Sequence, residues 1–222
     1  MRLGAGKELM TAVERTERGA IDVVVFDVGG VLVDWDPRHL YRKIFSDADR
    51  MESFLGEVCT PSWHAQHDLG VPLSSSIPAL VSAFPEWSEE IHAWEDRFEE
   101  MWNGPVPGSV EVFAALRASN SRVPIYAATN WGSDNWRIAK TLFPFLHWFD
   151  GEVVSGDVQL LKPDPRFFDL LVRRFNLTPS STLYVDDNPE NVRAASQKGL
   201  VARHFTSPER LASLLEDLGL IP

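Results

Sequence analysis

The sequence predicts an α/β protein, a doubly wound parallel sheet carrying a small all-helical insertion. Three observations carry that prediction. Short apolar runs of strand length alternate with longer segments whose apolar residues recur at helical spacing. The short runs are apolar at successive positions, as strands covered on both faces are. Polar residues follow these runs at once, at the carboxyl ends of parallel strands, where open α/β sheets place their ligands.

The first strand is predicted over 21–26, mostly β-branched, and it stops at Asp27 before turning through Gly29-Gly30. Taken alone, Asp27 is equally a turn aspartate, since Asp is a common turn residue. Pro37 then opens a predicted helix through Leu40, Tyr41, Ile44 and Phe45. From 37 to 105 the pattern offers no strand. Ile91, Trp94, Phe98 and Trp102 keep a helical period over 88–102, with acidic residues opposite. This segment reads as an aromatic-packed helical cap. The alternation resumes with a helix from Ser109 and a buried strand over 123–128. A helix over 133–142 and a strand over 149–154 follow, the latter interrupted by Asp150 and Glu152. Asp164-Pro165, Asn188-Pro189 and Ser207-Pro208 each pair a capping side chain with proline at the first helical turn. The helix after Asn188 is predicted to stop at Gly199. Strands over 182–185 and 200–205 complete the set, and Leu211, Leu214, Leu215 and Leu218 line the last helix. The predicted organisation is a tail over 1–19, a Rossmann-like core over 20–36 and 106–222, and the helical cap over 37–105.

Composition narrows the partners. The formal net charge of -11 over 222 residues argues against nucleic-acid backbones and anionic membrane surfaces. No apolar stretch approaches the roughly 18 residues a membrane span needs, and residues 1–19 lack the apolar core of a secretory signal. The single cysteine, Cys59, allows no internal disulfide, so a cytoplasmic location is expected. No pattern assigns an oligomeric state.

Four polar signals end successive predicted strands or follow them: Asp27, Thr129-Asn130, Lys162-Pro163 and Asp186-Asp187. Parallel strands bring their carboxyl ends to one rim. The inventory gathered there is a carboxylate, a hydroxyl with neighbouring amides, a cation and two further carboxylates. It suits phosphoryl transfer, because a carboxylate can attack phosphorus, and clustered carboxylates with a backbone carbonyl make a hard-oxygen site for Mg²⁺.

In those four motifs the chain resembles the haloacid dehalogenase-like hydrolase superfamily: Phe26-Asp27-Val28-Gly29-Gly30-Val31-Leu32, Ala128-Thr129-Asn130-Trp131, Leu161-Lys162-Pro163-Asp164-Pro165 and Tyr184-Val185-Asp186-Asp187-Asn188. The resemblance implies a phosphatase acting on a small phosphorylated metabolite through an aspartyl-phosphate on Asp27. It implies that Thr129, with the amides of Val28 and Asn130, holds the phosphate oxygens. Lys162 would steady Asp27 and the anion. Asp187, with Asp186 directly or through water, would join Asp27 and the Gly29 carbonyl around Mg²⁺. Arg38, eleven residues after Asp27, is a candidate substrate ligand at the cap hinge.

One departure stands out. Phosphatases of this superfamily usually carry a proton-transferring aspartate two residues after the nucleophile, where this chain has Gly29. General acid–base catalysis is worth about 10²–10⁴-fold. His64, His67, Asp34 or Asp36 are candidates to supply it. Alternatively the leaving group needs no help, as with a sugar 1-phosphate, whose phosphatases include a branch with glycine at this position. A third reading is a metal-independent 2-haloacid dehalogenase, which expels halide. Against that rival, three carboxylates facing one lysine would repel a carboxylate substrate, by up to about 4 kcal/mol per unscreened contact at 4 Å and an effective dielectric of 20. Dehalogenases resembling this chain usually carry Ser or Asn in the last motif and tyrosine at the place of Gly29. A non-catalytic binding protein of the same fold is the remaining alternative. His64 and His67 as half of a metal site lack further Cys or His nearby, and the eight tryptophans are expected to pack core and cap.

Overall fold

The computed structural model describes residues 20–119 and 123–222. The expected tail over 1–19 lies outside the described residues. The first half of the chain forms β1 (Val23–Phe26), β2 (Val33–Trp35), α1 (Pro37–Tyr41), α2 (Ala48–Glu57), α3 (Pro61–Asp68), α4 (Leu73–Ala83), α5 (Ser88–Asp96), β3 (Trp102–Pro105) and α6 (Ser109–Ala118). The second half forms β4 (Ile125–Thr129), α7 (Ser133–Leu142), β5 (Gly151–Val154), α8 (Ser155–Val158), α9 (Pro165–Arg174), β6 (Thr182–Asp186), α10 (Pro189–Gln197), β7 (Val201–His204) and α11 (Pro208–Asp217). Among the described residues, no helix is long and apolar enough to cross a membrane.

Five strands pair in parallel in the order β5-β4-β1-β6-β7. In β1, Val24 and Phe26 enter one apolar cluster and Val25 the other. This is the two-residue alternation of a strand covered on both faces. The first cluster takes in Phe113 of α6 and Leu211 and Leu215 of α11, while the second takes in Phe167, Phe168 and Leu171 of α9 and Ala195 of α10. Helices therefore cover both sides of the sheet. The chain steps from β1 outward to β4 and β5, then returns to the far side of β1 for β6 and β7. That reversal opens a crevice at the carboxyl ends of β1 and β6.

The proline-marked helix starts are as expected. Asp164, Asn188 and Ser207 each accept a backbone hydrogen bond as N-caps of α9, α10 and α11. Gly199, at φ +84, stops α10 in the left-handed conformation. The cap has its own core, in which Tyr41, Phe54 and Trp94 are buried and meet ring to ring. Two expectations need correction. The helix predicted over 88–102 ends as α5 at Asp96, and Trp102 begins β3 instead. The segment 37–105 is thus not free of strand. The helical spacing of Trp102 is overridden by its antiparallel pairing with Trp35 of β2, and Gly104, at φ +106, has a backbone no α-helix accommodates. This ribbon ties the start and end of the cap together beside the crevice.

Candidate active site

Asp27 directly follows β1, and its amide donates to the Val185 carbonyl at 2.8 Å, which fixes it beside β6. The chain then turns back on itself: the Leu32 and Val33 amides both bond the Val28 carbonyl at 2.9 Å. Gly30 has φ +71, and a Cβ there would collide with the Asp187 carboxylate. Only glycine meets both demands.

Lys162 arrives from the loop after α8. The Asn130 side chain clamps that loop on both sides, donating to the Lys162 carbonyl at 2.9 Å and accepting from its amide at 2.8 Å. The Lys162 ammonium lies 2.9 Å from Asp27 Oδ1 and 2.8 Å from Asp186 Oδ2. Asp186 is fully buried and also accepts from the Tyr184 hydroxyl at 2.5 Å, the Asn188 amide at 2.8 Å and Asn191 Nδ2 at 3.1 Å. Burial works to raise its pKa, but Lys162 and these donors hold it below the usual carboxylate range. Asp27 goes the other way. Burial raises it well above the ordinary value and the neighbouring Asp186 charge adds to this, against the pull of Lys162. Asp187 is raised by burial and by Asp186. Burial disfavours the Lys162 ammonium, yet the two carboxylates beside it raise its pKa.

Carboxylate oxygens of Asp27, Asp186 and Asp187 all lie within 4.8 Å of one another. Three hard-oxygen acids against one ammonium leave negative charge that a divalent cation would balance, and the donor set fits Mg²⁺. Asp186 has its oxygens already engaged by four donors, so Asp27 and Asp187 are the freer ligands.

Above this cluster lies a cavity of about 350 Å³. Its walls are aromatic, formed by Trp35, Phe98, Trp102 and Trp131, and its floor includes Asp27, Thr129 and Lys162. The Thr129 hydroxyl is buried and has no hydrogen-bond partner among the described residues. Val28 is not free in the same way, because its amide donates to Asp27 Oδ1 at 2.6 Å.

Other expected residues lie elsewhere. Arg38 does not line this cavity. Its guanidinium grips Glu52 at 2.7 and 2.6 Å and lines a neighbouring pocket on the cap, so the structure does not bring it together with Asp27, Thr129 and Lys162. Asp34 is held by His39 and Asn103, and Asp36 caps α1. Although partial burial favours the neutral acid, the His39 and Asn103 hydrogen bonds keep the Asp34 carboxyl below its ordinary range. The His67 ring is tied to the Val71 carbonyl and the Ser76 hydroxyl. His64 does line the cavity, stacked on Trp35 at 5.0 Å, but burial pushes its pKa down to about 3. Burial thus favours the neutral ring, whose remaining N–H is too weak an acid to protonate a leaving group at neutral pH.

A haloacid dehalogenase-like hydrolase model matches residues 21–199 of the chain. The chain belongs to the haloacid dehalogenase-like hydrolase family. Among its curated relatives is a phosphorylated carbohydrates phosphatase of Thermotoga maritima, 25% identical over 189 residues, covering 81% of this chain and 82% of the relative. A sesquiterpene phosphatase of Aspergillus oryzae is 26% identical, covering 86% of this chain and 92% of its own. In fold, the hydrolase matches a family enzyme of Bacteroides thetaiotaomicron crystallised with magnesium and inorganic phosphate. That match has a TM-score of 0.65 at 17% identity, covering 88% of this chain and 99% of the other. A dehalogenase captured with an intermediate complex matches equally well, with a TM-score of 0.67 at 17% identity, covering 88% of this chain and 97% of the other.

Two features of this hydrolase escaped the sequence reading. The aromatic walls were expected to be packing only, since their contributors are scattered from Trp35 to Trp131. The other is Asp68, a buried carboxyl at the end of α3 that lines the cavity. It lies four residues after His64 and so shares its helix face. That spacing was the available signal.

Proposed function

We propose that this hydrolase is an Mg²⁺-dependent phosphomonoesterase that works through an aspartyl-phosphate on Asp27. The observation that carries the reading is the buried, unpartnered Thr129 hydroxyl on the same floor as Asp27 and Lys162. A buried hydroxyl without a partner costs about 1–3 kcal/mol, and a phosphoryl oxygen seated beside Asp27 would satisfy it. Asp27 attacks phosphorus in this scheme, and Lys162 opposes the rise of its pKa and pairs with the phosphoryl oxygens. The Val28 and Asn130 amides complete the phosphate cradle, which requires the Val28 amide to leave the Asp27 carboxylate. Asp27, the Gly29 carbonyl and Asp187 hold Mg²⁺, with Asp186 behind them anchoring Lys162. When bound, the ion neutralises charge on the transferring group.

The substrate is a small phosphorylated metabolite whose leaving group rests on the aromatic walls. A sugar 1-phosphate fits, since a sugar ring presents an apolar face to indole, and the relatives acting on phosphorylated carbohydrates and on a sesquiterpene phosphate support an ester of this size. A metal-independent dehalogenase shares the fold, but the carboxylate trio favours the cation-dependent reading. The test is a panel of phosphomonoesters and 2-haloacids, with and without Mg²⁺, on wild type and Asp27→Asn. Phosphate release that needs both Mg²⁺ and Asp27 supports the proposal. Halide release without metal replaces it, and silence across the panel overturns it.

A further inference from the structure

We propose that Asp68, reaching down from the cap, is the catalytic acid–base of this site. It would protonate the departing oxygen and then take the proton of the attacking water. The inference rests on the phosphomonoesterase reading and adds the group which that chemistry lacks.

An alkoxide is a poor leaving group at neutral pH, so a cavity that cleaves alkyl esters needs a proton donor on its leaving-group side. The loop after Asp27 offers none. A Cβ at Gly29 would come within 3.3 Å of Trp131 Nε1, so a side chain there would press on the indole and require it to give by a few tenths of an ångström. Trp131 is itself held edge-on by Trp136 at 5.8 Å and tilted against Trp102 at 5.9 Å, and so has little room to withdraw. Among the described residues, the carboxyl groups lining the cavity are Asp27, Asp187 and Asp68. Asp27 is the nucleophile, Asp187 belongs to the cation cluster, and Asp68 stands outside that cluster.

The position of Asp68 is built rather than incidental. The Gly132 backbone amide lies close enough to its carboxyl to favour the charged form. Around it the cap and core touch through glycines. A Cβ on Gly132 would fall 3.0 Å from the His67 carbonyl, and one on Gly70 would fall 3.2 Å from the Gly156 carbonyl. The end of α3 is thereby seated on the loop that follows Thr129, so an acid on the cap is placed with the precision of the core.

The groups facing Asp68 are Asp27, Lys162 and His64. Burial, with Asp27 adding to it, raises its pKa well above the carboxylate range, while the Gly132 amide and Lys162 oppose. His64 Nε2 is 3.6 Å from Asp68 Oδ1, too far for a direct hydrogen bond, and His64 resists protonation. Among the described carboxyl groups that line the cavity, Asp68 is the one left outside the cation cluster to bring a proton to the leaving group.

The proton ledger balances. As an Asp27 oxygen bonds to phosphorus and the ester P–O bond breaks, the Asp68 proton passes to the leaving oxygen and a neutral alcohol departs. The Asp68 carboxylate next accepts a proton from water, whose oxygen attacks phosphorus. The Asp27 O–P bond breaks, inorganic phosphate leaves, and both aspartates return to their starting states.

The experiment compares wild type with Asp68→Asn, in Mg²⁺, on an alkyl phosphate and on p-nitrophenyl phosphate, whose anion leaves without protonation. The expected result is a fall in kcat/KM of about 10²-fold or more on the alkyl ester and at least tenfold less on the aryl ester. Asp68→Glu should recover part of the alkyl activity. The basic limb of the wild-type pH profile, where the acid is lost, should disappear in Asp68→Asn. An equal loss on both esters, the mark of a structural role, overturns the proposal, as does no loss on either. In those cases an active wild type leaves the phosphatase reading standing. A wild type inactive on both esters removes the two together.

Discussion

The Lys162 ammonium donates to Asp186 Oδ2 at 2.8 Å with both side chains sealed from solvent, at 1% and 0% exposure. A buried pair of this kind is weak evidence of net stabilisation, but removing one member strands the other. Lys162→Met leaves Asp186 and Asp27 buried without a counter-charge. We expect it to cost about 3–5 kcal/mol in urea unfolding and to abolish phosphate release.

Thr129→Val should separate binding from folding. The hydroxyl is buried without a partner, and a methyl of the same shape removes that penalty. Stability should rise by about 1 kcal/mol, while kcat/KM for a phosphomonoester falls by about tenfold or more, the loss of a hydrogen bond to a charged group. Unfolding curves and steady-state kinetics on the same preparation read the opposite signs.

Saturating Mg²⁺ should raise the melting temperature, because an ion that binds only the folded chain stabilises it by mass action, about 2.7 kcal/mol at one hundred times Kd. Asp187→Asn removes one of the three clustered carboxylates and should flatten that response. A Tm titration with MgCl₂ on both proteins checks it, with no turnover required.

His64 sets an acid limit on stability. Its folded pKa is pushed down to about 3, below the unfolded value of about 6.5. The unfolded chain therefore binds a proton that the native state refuses, and stability that is complete above pH 6.5 is lost as pH falls toward 3. At pH 4.5 the loss is roughly 2–3 kcal/mol. His64→Phe keeps a ring against Trp35 and should remove that part of the difference between unfolding at pH 7 and pH 4.5.

How much of this was legible beforehand follows from what each signal encodes. The two-residue alternation of β1 and the cap-plus-proline starts of α9, α10 and α11 are local, so composition and spacing reveal them. Trp102 misled because its helical spacing is also local, whereas its pairing with Trp35 joins residues 67 positions apart and has no trace in periodicity.

By itself, the sequence determined the alternating layers and the presence of Asp27, Thr129, Lys162, Asp186 and Asp187 at strand ends or just beyond them. Parallel strands share a direction, so their ends must gather. Only the tertiary structure decided which groups are spent and which are free. Asp186 is saturated by four donors, Arg38 is turned away to Glu52, the Thr129 hydroxyl is left open, and Asp68 lines the cavity from the cap, where Gly29 carries no side chain and faces an indole at close range. Hydrogen-bond satisfaction and burial depend on how distant segments pack, and nothing in the order of residues along one segment carries that information.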